Sequence, residues 1–506
     1  MRLKIFLLIL VPFCIFPQPN VLDALLQQIK TTYNLVGMTV SVAKNNQIVF
    51  TKGYGLRDVA RNLTMNDSSQ YRIASVSKTI TAIALMKLYE NGAFSLDDDI
   101  SQYLGFQLRN PVFPTQVITI RKVLSHTSSL RDGTGYDGFL ADSYSQNPPP
   151  SLSALLTPAG SYYTGNMFSS SQGPDNNYFT YSNINYGVIG TLIERLSNKR
   201  FDIFCRENIF EPIGMNASFN VDDFSSVNNI AVLYRRTGSN WIPQLDNYGG
   251  VKPPPRNLSA YVTGSNGLLF APQGGLRVSG TDLAKILILL KDGGIYNGVR
   301  ILNDSTVSQM LIPVWAYNGS NGNNYYGIFN TYAFGCHRTT ELLPGETLFG
   351  HPGEAYGLIS DIYFSEVKDY GIVFITNGGQ WGYGAYSGWY NVEEQVFTKV
   401  LQQLNNLPMD VKETGEVLLP GFSLDQNYPN PFNPATVISY SLVTEGNVTL
   451  KIFDILGNEI AVLINEVKEP GKHSIEFNAS KLSSGLYFYE LRSGEIVISK
   501  KMMVVK

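Results

Sequence analysis

The stretch Tyr71-Arg72-Ile73-Ala74-Ser75-Val76-Ser77-Lys78-Thr79-Ile80-Thr81-Ala82 places a serine and a lysine three positions apart, where a helix is predicted to begin. Apolar residues recur at helical spacing beyond it, and Gly92 follows the helix as a typical C′ residue. In a helix from Ser75 to Asn91, Ser75 and Lys78 lie on one face. The helix dipole favours negative charge at Ser75, and a lysine in a dry cleft loses proton affinity. The pair predicts a serine nucleophile with a lysine helper, against the alternative of a plain N-cap serine.

Three further motifs follow along the chain, namely Leu124-Ser125-His126-Thr127-Ser128-Ser129-Leu130, Tyr181-Ser182-Asn183 and His351-Pro352-Gly353. Together with the serine–lysine motif they resemble the serine β-lactamase and penicillin-binding-protein superfamily, in its branch of class C enzymes, esterases and DD-peptidase-like proteins. The resemblance spans about residues 21–404. It implies catalysis through an acyl-enzyme on Ser75 without a cofactor or a metal, and the sequence shows no metal-ligand or nucleotide-binding motif.

The resemblance also assigns roles to the second and third motifs. Tyr181 would relay protons between Ser75 and a leaving group or an attacking water. Its free pKa of about 10 is high for a base at neutral pH, so nearby positive charge would have to lower it. Asn183 would share the extended face of Tyr181 and offer its amide to a substrate carbonyl and to Lys78. The protonation states of Lys78 and Tyr181 are coupled, so the choice between them as the acylation base stays open. His126 is expected to be structural.

The His351-Pro352-Gly353 motif stands where many relatives carry Lys-Thr-Gly, and esterase-type relatives often carry histidine there. His351 would assist substrate binding or proton transfer, and the strand that follows would line the substrate, beginning with Gly353. The backbone N–H of Glu354, paired with that of Ser75, would form the oxyanion hole. Pro352 lacks a hydroxyl and an N–H, which disfavours recognition of a β-lactam carboxylate.

Periodicity predicts that both ends of this region build one sheet. Helices are expected over 21–33 and 392–404, and strands over 38–43, 48–52, 358–364 and 370–376, with a tight turn at Asn45-Asn46. The fold class is therefore α/β of the α+β type, an antiparallel sheet flanked by helices, with the long insertion forming a mainly helical lobe. Cys205 and Cys336 could pair, and two buried free thiols are the alternative.

The first residues are typical of a secretory signal peptide. Arg2 and Lys4 precede an apolar run over residues 5–16 that is too short to span a bilayer, and Pro12 and Pro17 disfavour a core helix. Residues 1–19 are therefore assigned to the signal peptide and 20–405 to the hydrolase domain. No later apolar stretch approaches the length of a membrane span. A formal net charge of −3 gives no basic field, so nucleic acid is not an expected partner.

The remainder of the chain is predicted to be a linker, 406–423, and a small β-sandwich, 424–506, with strands over 436–442, 448–454, 472–478, 485–492 and 497–504. Its Tyr428-Pro429-Asn430-Pro431-Phe432-Asn433-Pro434 opening and its Leu482-Ser483-Ser484-Gly485-Leu486-Tyr487 stretch resemble the C-terminal sorting domains of type IX secretion. The resemblance implies the type IX machinery as a partner, with export through the periplasm and outer membrane to a secreted or cell-surface location. An adhesion module is the alternative.

These features predict an exported serine hydrolase that cleaves amide or ester bonds through a Ser75 acyl-enzyme. The expected substrates are D-alanyl-type peptides, as in a D-alanyl-D-alanine carboxypeptidase reaction on peptidoglycan-derived material, or small esters. An efficient β-lactamase and a non-catalytic cell-wall-binding scaffold are the alternatives. The joint presence of Ser75, Lys78, Tyr181 and Asn183 argues against the scaffold.

Overall fold

The computed structural model describes residues 21–365, 367–385, 387–407, 423–442, 444–454, 458–493 and 496–505. These residues fall into two compact units that divide after Pro408. The predicted signal peptide and most of the predicted linker lie outside the described residues. Among the helices of the described ranges, none is long and apolar enough to cross a membrane.

The first unit is built around a seven-stranded sheet in which every neighbouring pair is antiparallel. Strands from the two ends of the unit meet at its centre, where Val40 lies opposite Phe374. The sheet predicted from both chain ends is therefore confirmed. In spatial order its strands are His337–Thr339, Leu348–Ala355, Leu358–Ser365, Tyr370–Thr376, Gly37–Lys44, Gln47–Asp58 and Leu63–Thr64.

Helices cover both faces of this sheet. On one face Ile372 packs in a core with the helices Val21–Thr32 and Asn391–Gln403. On the other face Val373 packs in the core that contains Gly280–Lys291. Because successive side chains of a strand point to opposite faces, a strand covered on both sides is apolar throughout. This explains why the central strands read as continuous apolar runs in the sequence.

The long insertion forms the mainly helical lobe that the sequence predicts, with a few short strand pairs. Its α-helices are Ser77–Glu90, Ser101–Leu104, Ile120–Leu124, Tyr136–Ser145, Ser153–Leu156, Asn183–Ser197, Phe201–Cys205 and Asp304–Leu311. Its strand pairs are Gln70–Arg72 with Arg277–Ser279, Leu233–Thr237 with Asn240–Leu245, Ile295–Tyr296 with Val299–Arg300, and Trp315–Ala316 with Thr331–Tyr332.

Two local predictions can be compared directly with the structure. The hairpin turn at Asn45-Asn46 is confirmed, since both residues have positive φ and Lys44 lies opposite Gln47. The helix predicted from about Ser75 to Asn91 is present as the α-helix Ser77–Glu90, which begins two residues later than predicted because Ser75 lies in a preceding 3-10 turn. Of the two alternatives for the cysteines, the structure has Cys205 and Cys336 as separate buried thiols.

The second unit contains two antiparallel sheets that share one apolar core. This confirms the strand-rich C-terminal region, and the five predicted strands are present to within two residues at either end. The sequence reading missed the strand Glu459–Lys468, which lies at the edge of the larger sheet. Its continuous apolar run over 460–464 does not show the alternation that marks a half-buried strand. The strands are Ser423–Leu424, Ala435–Leu442 and Gly471–Asn478 in one sheet, and Glu459–Lys468, Gly446–Phe453, Gly485–Ser493 and Ile496–Val504 in the other.

Candidate active site

The candidate nucleophile, Ser75, lies in a 3-10 turn directly before the helix Ser77–Glu90. The 3-10 turn Ala74–Val76 contacts the strands Leu348–Ala355 and Leu358–Ser365. Ala74 has a φ of 45°, a left-handed conformation that costs a non-glycine residue about 1–2 kcal/mol and must be held by its surroundings. Ser75 is half-buried and lines a cavity of about 300 Å³. The turn therefore presents the Ser75 hydroxyl to a cavity while its neighbours are buried.

Lys78 is fully buried next to Ser75. Its Nζ lies 3.1 Å from Ser75 Oγ, 2.9 Å from Asn183 Oδ1 and 2.9 Å from the Gln273 carbonyl oxygen. Burial lowers the pKa of Lys78 to about 7, while the negative charge of Asp132 acts in the opposite direction. Near neutral pH a substantial fraction of Lys78 is a free amine. Because Asn183 Oδ1 and the Gln273 carbonyl can only accept, the amine donates to both, and its lone pair is left for the Ser75 hydroxyl.

Tyr181 reaches the same cavity from the extended segment that precedes a helix. Its ring stacks on Phe329, with centroids 5.2 Å apart, and lies 4.7 Å from Lys78 Nζ. The Tyr181 hydroxyl oxygen is buried and makes no hydrogen bond of ordinary geometry within the described part of the chain. Burial raises the pKa of Tyr181 well above its usual range, and the nearby Ser75 hydroxyl only partly offsets this. At neutral pH Tyr181 is therefore a protonated phenol that can donate, not a base.

Asn183 begins the helix Asn183–Ser197 and does not extend the strand-like segment of Tyr181. Its Oδ1 accepts from Lys78, and its Nδ2 donates to Asp132 Oδ2 at 3.0 Å. Asp132 also accepts from the backbone N–H groups of Asn183 and Ile184 and from Ser182 Oγ, at 2.9–3.0 Å. One carboxylate thus holds the first turn of this helix, where the helix dipole favours negative charge. Because an amide nitrogen carries two hydrogens, one N–H of Asn183 is left for a substrate carbonyl.

The His351-Pro352-Gly353 motif lies within the strand Leu348–Ala355, not ahead of the strand as the sequence reading placed it. The His351 ring is fully buried. Its Nδ1 lies 2.6 Å from the Pro352 carbonyl oxygen and its Nε2 lies 2.9 Å from the Tyr332 hydroxyl. Pro352, Gly353 and Glu354 line the cavity, whereas His351 is not among the lining residues. Both ring nitrogens are occupied by protein groups, so this geometry suits a residue that positions its neighbours.

Gly353 lies close to the turn that carries the nucleophile. A Cβ at this residue would lie 2.7 Å from the Ile73 carbonyl oxygen, 3.1 Å from the Ser75 nitrogen and 2.4 Å from Ser360 Oγ. Only glycine fits without displacing the turn that carries Ser75. The predicted oxyanion hole, made by the N–H groups of Ser75 and Glu354, stays a prediction, and the close approach at Gly353 is what such a pair of donors requires.

His126 is buried beside Tyr181, as expected for a structural residue. Its Nδ1 accepts from the Ser182 backbone N–H at 3.2 Å, and its ring centroid lies 4.5 Å from that of Tyr181. Burial, with Lys78 nearby, lowers the pKa of His126 well below its usual value. A neutral histidine in this place packs against the Tyr181 ring.

Several residues of the site had no assignment from the sequence. Asp132 lies two residues after the His126 motif, but its partners lie about fifty residues further along the chain, and no local pattern marks such a contact. The cavity wall is largely aromatic and comes from two loops, around 325–329 and 383–390. The clustered aromatics at Tyr325, Tyr326 and Phe329 were a usable signal, since solvent-facing loops seldom carry so many.

Residues 22–396 match the Beta-lactamase family, and residues 426–505 match the family of secretion system C-terminal sorting domains. Among individual proteins, the chain is 25% identical over 219 residues to Protein flp of Staphylococcus aureus strain MRSA252, covering 43% of this chain and 41% of that protein. It is 29% identical over 178 residues to Penicillin-binding protein 4* of Bacillus subtilis strain 168, covering 35% and 36%. The matches thus span about two fifths of these relatives.

Two solved structures illustrate the likeness in fold. The octameric penicillin-binding protein homologue from Pyrococcus abyssi aligns with a TM-score of 0.56 at 20% identity, over 95% of this chain and 99% of that one. The D-amino acid amidase from Ochrobactrum anthropi SV3 aligns with a TM-score of 0.53 at 22% identity, over 76% and 99%. The family match covers most of the chain, and the sorting domain follows it. The chain therefore belongs to the Beta-lactamase family.

Proposed function

We propose that this protein is an exported serine hydrolase that cleaves amide or ester bonds through an acyl-enzyme on Ser75. The observation that carries the proposal is the position of Lys78 Nζ, 3.1 Å from Ser75 Oγ and held by two groups that can only accept hydrogen bonds. A buried amine with a pKa of about 7 can take the Ser75 proton at neutral pH.

In the acylation step the neutral Lys78 amine takes the proton of Ser75 Oγ as that oxygen attacks the substrate carbonyl. A new Oγ–C bond forms, and the carbonyl electrons move to the oxygen, which the N–H groups of Ser75 and Glu354 would stabilise. The intermediate collapses with cleavage of the bond to the amine or alcohol. The leaving group takes a proton from the protonated Lys78 or through the Tyr181 phenol, which lines the same cavity as Ser75.

In the deacylation step a water molecule replaces the leaving group. Lys78, which has returned to its neutral form, takes a proton from this water directly or through Tyr181, and the hydroxide adds to the ester carbonyl of the acyl-enzyme. The Ser75–acyl bond then breaks, and Ser75 Oγ regains its proton. Asn183 would hold both Lys78 and the substrate carbonyl, while His351 and Gly353 would keep the strand in place beside Ser75.

Among the candidate substrates, D-alanyl-type peptides and small esters rank ahead of β-lactams. The cavity is lined by Ser75 and Tyr181 together with apolar, aromatic and acidic side chains, and no lysine or arginine is among its described lining residues. A β-lactam carboxylate would therefore meet no cationic partner there, and neither would the terminal carboxylate of a D-alanyl-D-alanine peptide, so uncharged esters and amides fit this lining best. Fast hydrolysis of cephalosporins beside slow ester and peptide turnover would reverse this ranking. The scaffold alternative is disfavoured because the proton-transfer groups are assembled in contact with one another.

The C-terminal unit is proposed to direct the protein through the type IX machinery, with residues 1–19 serving as the signal peptide for the first membrane. The matched sorting domain supports the secretion step, and the predicted boundaries 20–405, 406–423 and 424–506 remain proposals. A mature protein that keeps this unit and binds a ligand through it would favour the adhesion alternative.

The proposal is tested by steady-state hydrolysis of p-nitrophenyl esters and of D-alanyl-D-alanine peptides by the full chain. Ser75→Ala and Lys78→Met should each lower kcat/KM by at least about 10³-fold. Lys87→Met, which removes a lysine from the same helix away from Ser75, is the matched control and should keep the wild-type rate. Turnover near wild type in Ser75→Ala would overturn the acyl-enzyme proposal.

A further inference from the structure

Carboxyl groups line the active-site cavity, and no basic side chain is among its described lining residues. Glu354 and Glu393 line the cavity together with Ser75. A larger cavity of about 720 Å³ shares Tyr326 and Tyr383 with it and adds Glu341. Neither set of described lining residues includes a lysine or an arginine. Lys78 is buried next to Ser75, and in its neutral form its two N–H groups are used by Asn183 and Gln273.

Tyr390 holds the two inner carboxylates in place. Its hydroxyl donates to Glu354 Oε2 at 3.0 Å, and its backbone N–H donates to Glu393 Oε2 at 2.7 Å. Glu354 is exposed, whereas Glu393 is buried at the start of the helix Asn391–Gln403. The two acids are therefore fixed on either side of one tyrosine, in the same cavity as the nucleophile.

A third carboxyl group, that of Asp361, lies next to Glu393. Asp361 is fully buried, and within the described residues its partner is the Glu393 carboxyl group, with which it can share a proton. Burial, together with the charge of Glu393, raises the pKa of Asp361 well above its usual range, and burial raises that of Glu393 to about 8. An unpaired buried carboxylate is unfavourable, so this pair either keeps a proton or gains a cation.

The aromatic walls supply the rest of a cation site. Tyr326 and Tyr383 are 88% and 73% exposed at the mouth, which is far more than a side chain kept for packing would be. Phe329 and Trp389 line the interior. Ring faces attract ammonium groups, most strongly where water is displaced, and combine with carboxylates in sites that select cations.

We propose that the cavity selects acyl donors that carry a positively charged amine close to the scissile carbonyl, with Glu354 and Glu393 as the acceptors of that ammonium and the aromatic side chains around it. The inference rests on the proposed function, since it names the substrate class of the same Ser75 site. It makes the expected substrates amides or esters of amino acids and peptides with a free amino group, and disfavours N-acylated and anionic donors.

The test compares two acyl donors of the same shape, alanyl p-nitroanilide, as each enantiomer, and isobutyryl p-nitroanilide, in which a methyl group replaces the ammonium. The full chain should hydrolyse one alanyl enantiomer with at least tenfold higher kcat/KM than the isobutyryl compound. Glu354→Gln should lower this ratio about tenfold. Glu211→Gln changes an exposed acid that is not among the cavity-lining residues and should leave the ratio unchanged. Glu393→Gln keeps the acceptor for the Tyr390 N–H and should act in the same direction.

If the anilides are hydrolysed too slowly to measure, protection of Ser75 from a fluorophosphonate by alaninamide and by isobutyramide gives the same comparison. Equal hydrolysis or equal protection by the charged and neutral compounds would overturn the inference, as would an alanyl preference that survives in Glu354→Gln. If the charged and neutral compounds behave equally but Ser75→Ala loses all turnover, the amine preference is refuted and the proposed function is retained. Turnover or labelling that persists in Ser75→Ala would instead refute the proposed function.

Discussion

At the scale of single residues, the account depends on the protonation state of Lys78. Burial lowers its pKa to about 7, and its neighbours His126 and His351 are held neutral by burial as well. Tyr181 stays protonated because burial raises its pKa. Of the two groups between which the sequence leaves the choice open, we therefore propose Lys78 as the acylation base and Tyr181 as a proton donor.

This assignment predicts a pH dependence with a definite sign. A base is active when deprotonated, so kcat/KM for an uncharged ester should rise about tenfold per pH unit well below pH 7 and level off above it. The measurement is a kcat/KM profile between pH 5 and about 9 with a p-nitrophenyl ester, corrected for spontaneous hydrolysis. A profile that is flat or falls through neutral pH would show that Lys78 is not the titrating base.

The glycine of the His351 motif yields a second prediction at this scale. In Gly353→Ala the added Cβ would lie within 3.1 Å of the Ser75 nitrogen and the Ile73 carbonyl, so the turn that carries Ser75 must shift. We expect kcat to fall by at least about tenfold with a loss of stability of about 1–3 kcal/mol. Gly382→Ala, where an added Cβ meets nothing closer than 3.7 Å, is the matched control. Wild-type kcat in Gly353→Ala would contradict the close approach.

At the scale of secondary-structure elements, the start of the helix Asn183–Ser197 decides where Asn183 and Tyr181 point. Asp132 accepts four hydrogen bonds from this first turn. In Asp132→Asn one carboxylate oxygen becomes an NH₂ group that faces hydrogen-bond donors. The free energy of unfolding should fall by about 1 kcal/mol, as it does when a helix cap is lost. Thermal unfolding of the variant measures this loss.

The same substitution carries a kinetic signature. The charge of Asp132 raises the pKa of Lys78, so its removal should move the midpoint of the pH–activity profile to lower pH. Asp137→Asn removes an exposed charge five residues away on the helix Tyr136–Ser145 and should leave the midpoint in place. A midpoint that is unchanged or higher in Asp132→Asn would contradict the electrostatic link.

Some elements and site residues could be predicted from the sequence, and others could not. Ser75, Lys78 and the central strands could be predicted because their signals are local, a three-residue spacing and uninterrupted apolar runs. The exact start of the helix could not be predicted. Residues Ala74–Val76 form a 3-10 turn that contacts the sheet, and this contact is not visible in the local sequence. His351 was expected to assist substrate binding or proton transfer, but its ring is buried against the Tyr332 hydroxyl and the Pro352 carbonyl, and no local pattern marks the contact with Tyr332.

At the scale of the whole molecule, the chain consists of two compact units with separate apolar cores. Folding of each unit therefore draws on its own buried surface. The acid-lined aromatic cavity could not be read from the sequence, because its two loops are about sixty residues apart and meet only once the sheet has formed. The sorting domain could be predicted, since its motifs are contiguous.

Removal of the second unit should separate export from catalysis. A chain that ends at Pro408 is expected to keep the kcat/KM of the full chain when purified, since every residue of the candidate site lies in the first unit. In a host with type IX secretion it should accumulate inside the cell envelope, whereas the full chain reaches the medium or cell surface. Export of the truncated chain at the level of the full chain would show that the second unit is not the sorting signal.

The most direct test of the central claim is the intact mass of the full chain after exposure to a fluorophosphonate. Attack by Ser75 Oγ displaces fluoride and leaves one covalent phosphonyl group, so we predict a single adduct on the wild-type protein and none on Ser75→Ala. An unmodified wild-type protein, or an adduct that persists in Ser75→Ala, would contradict the assignment of Ser75 as the nucleophile.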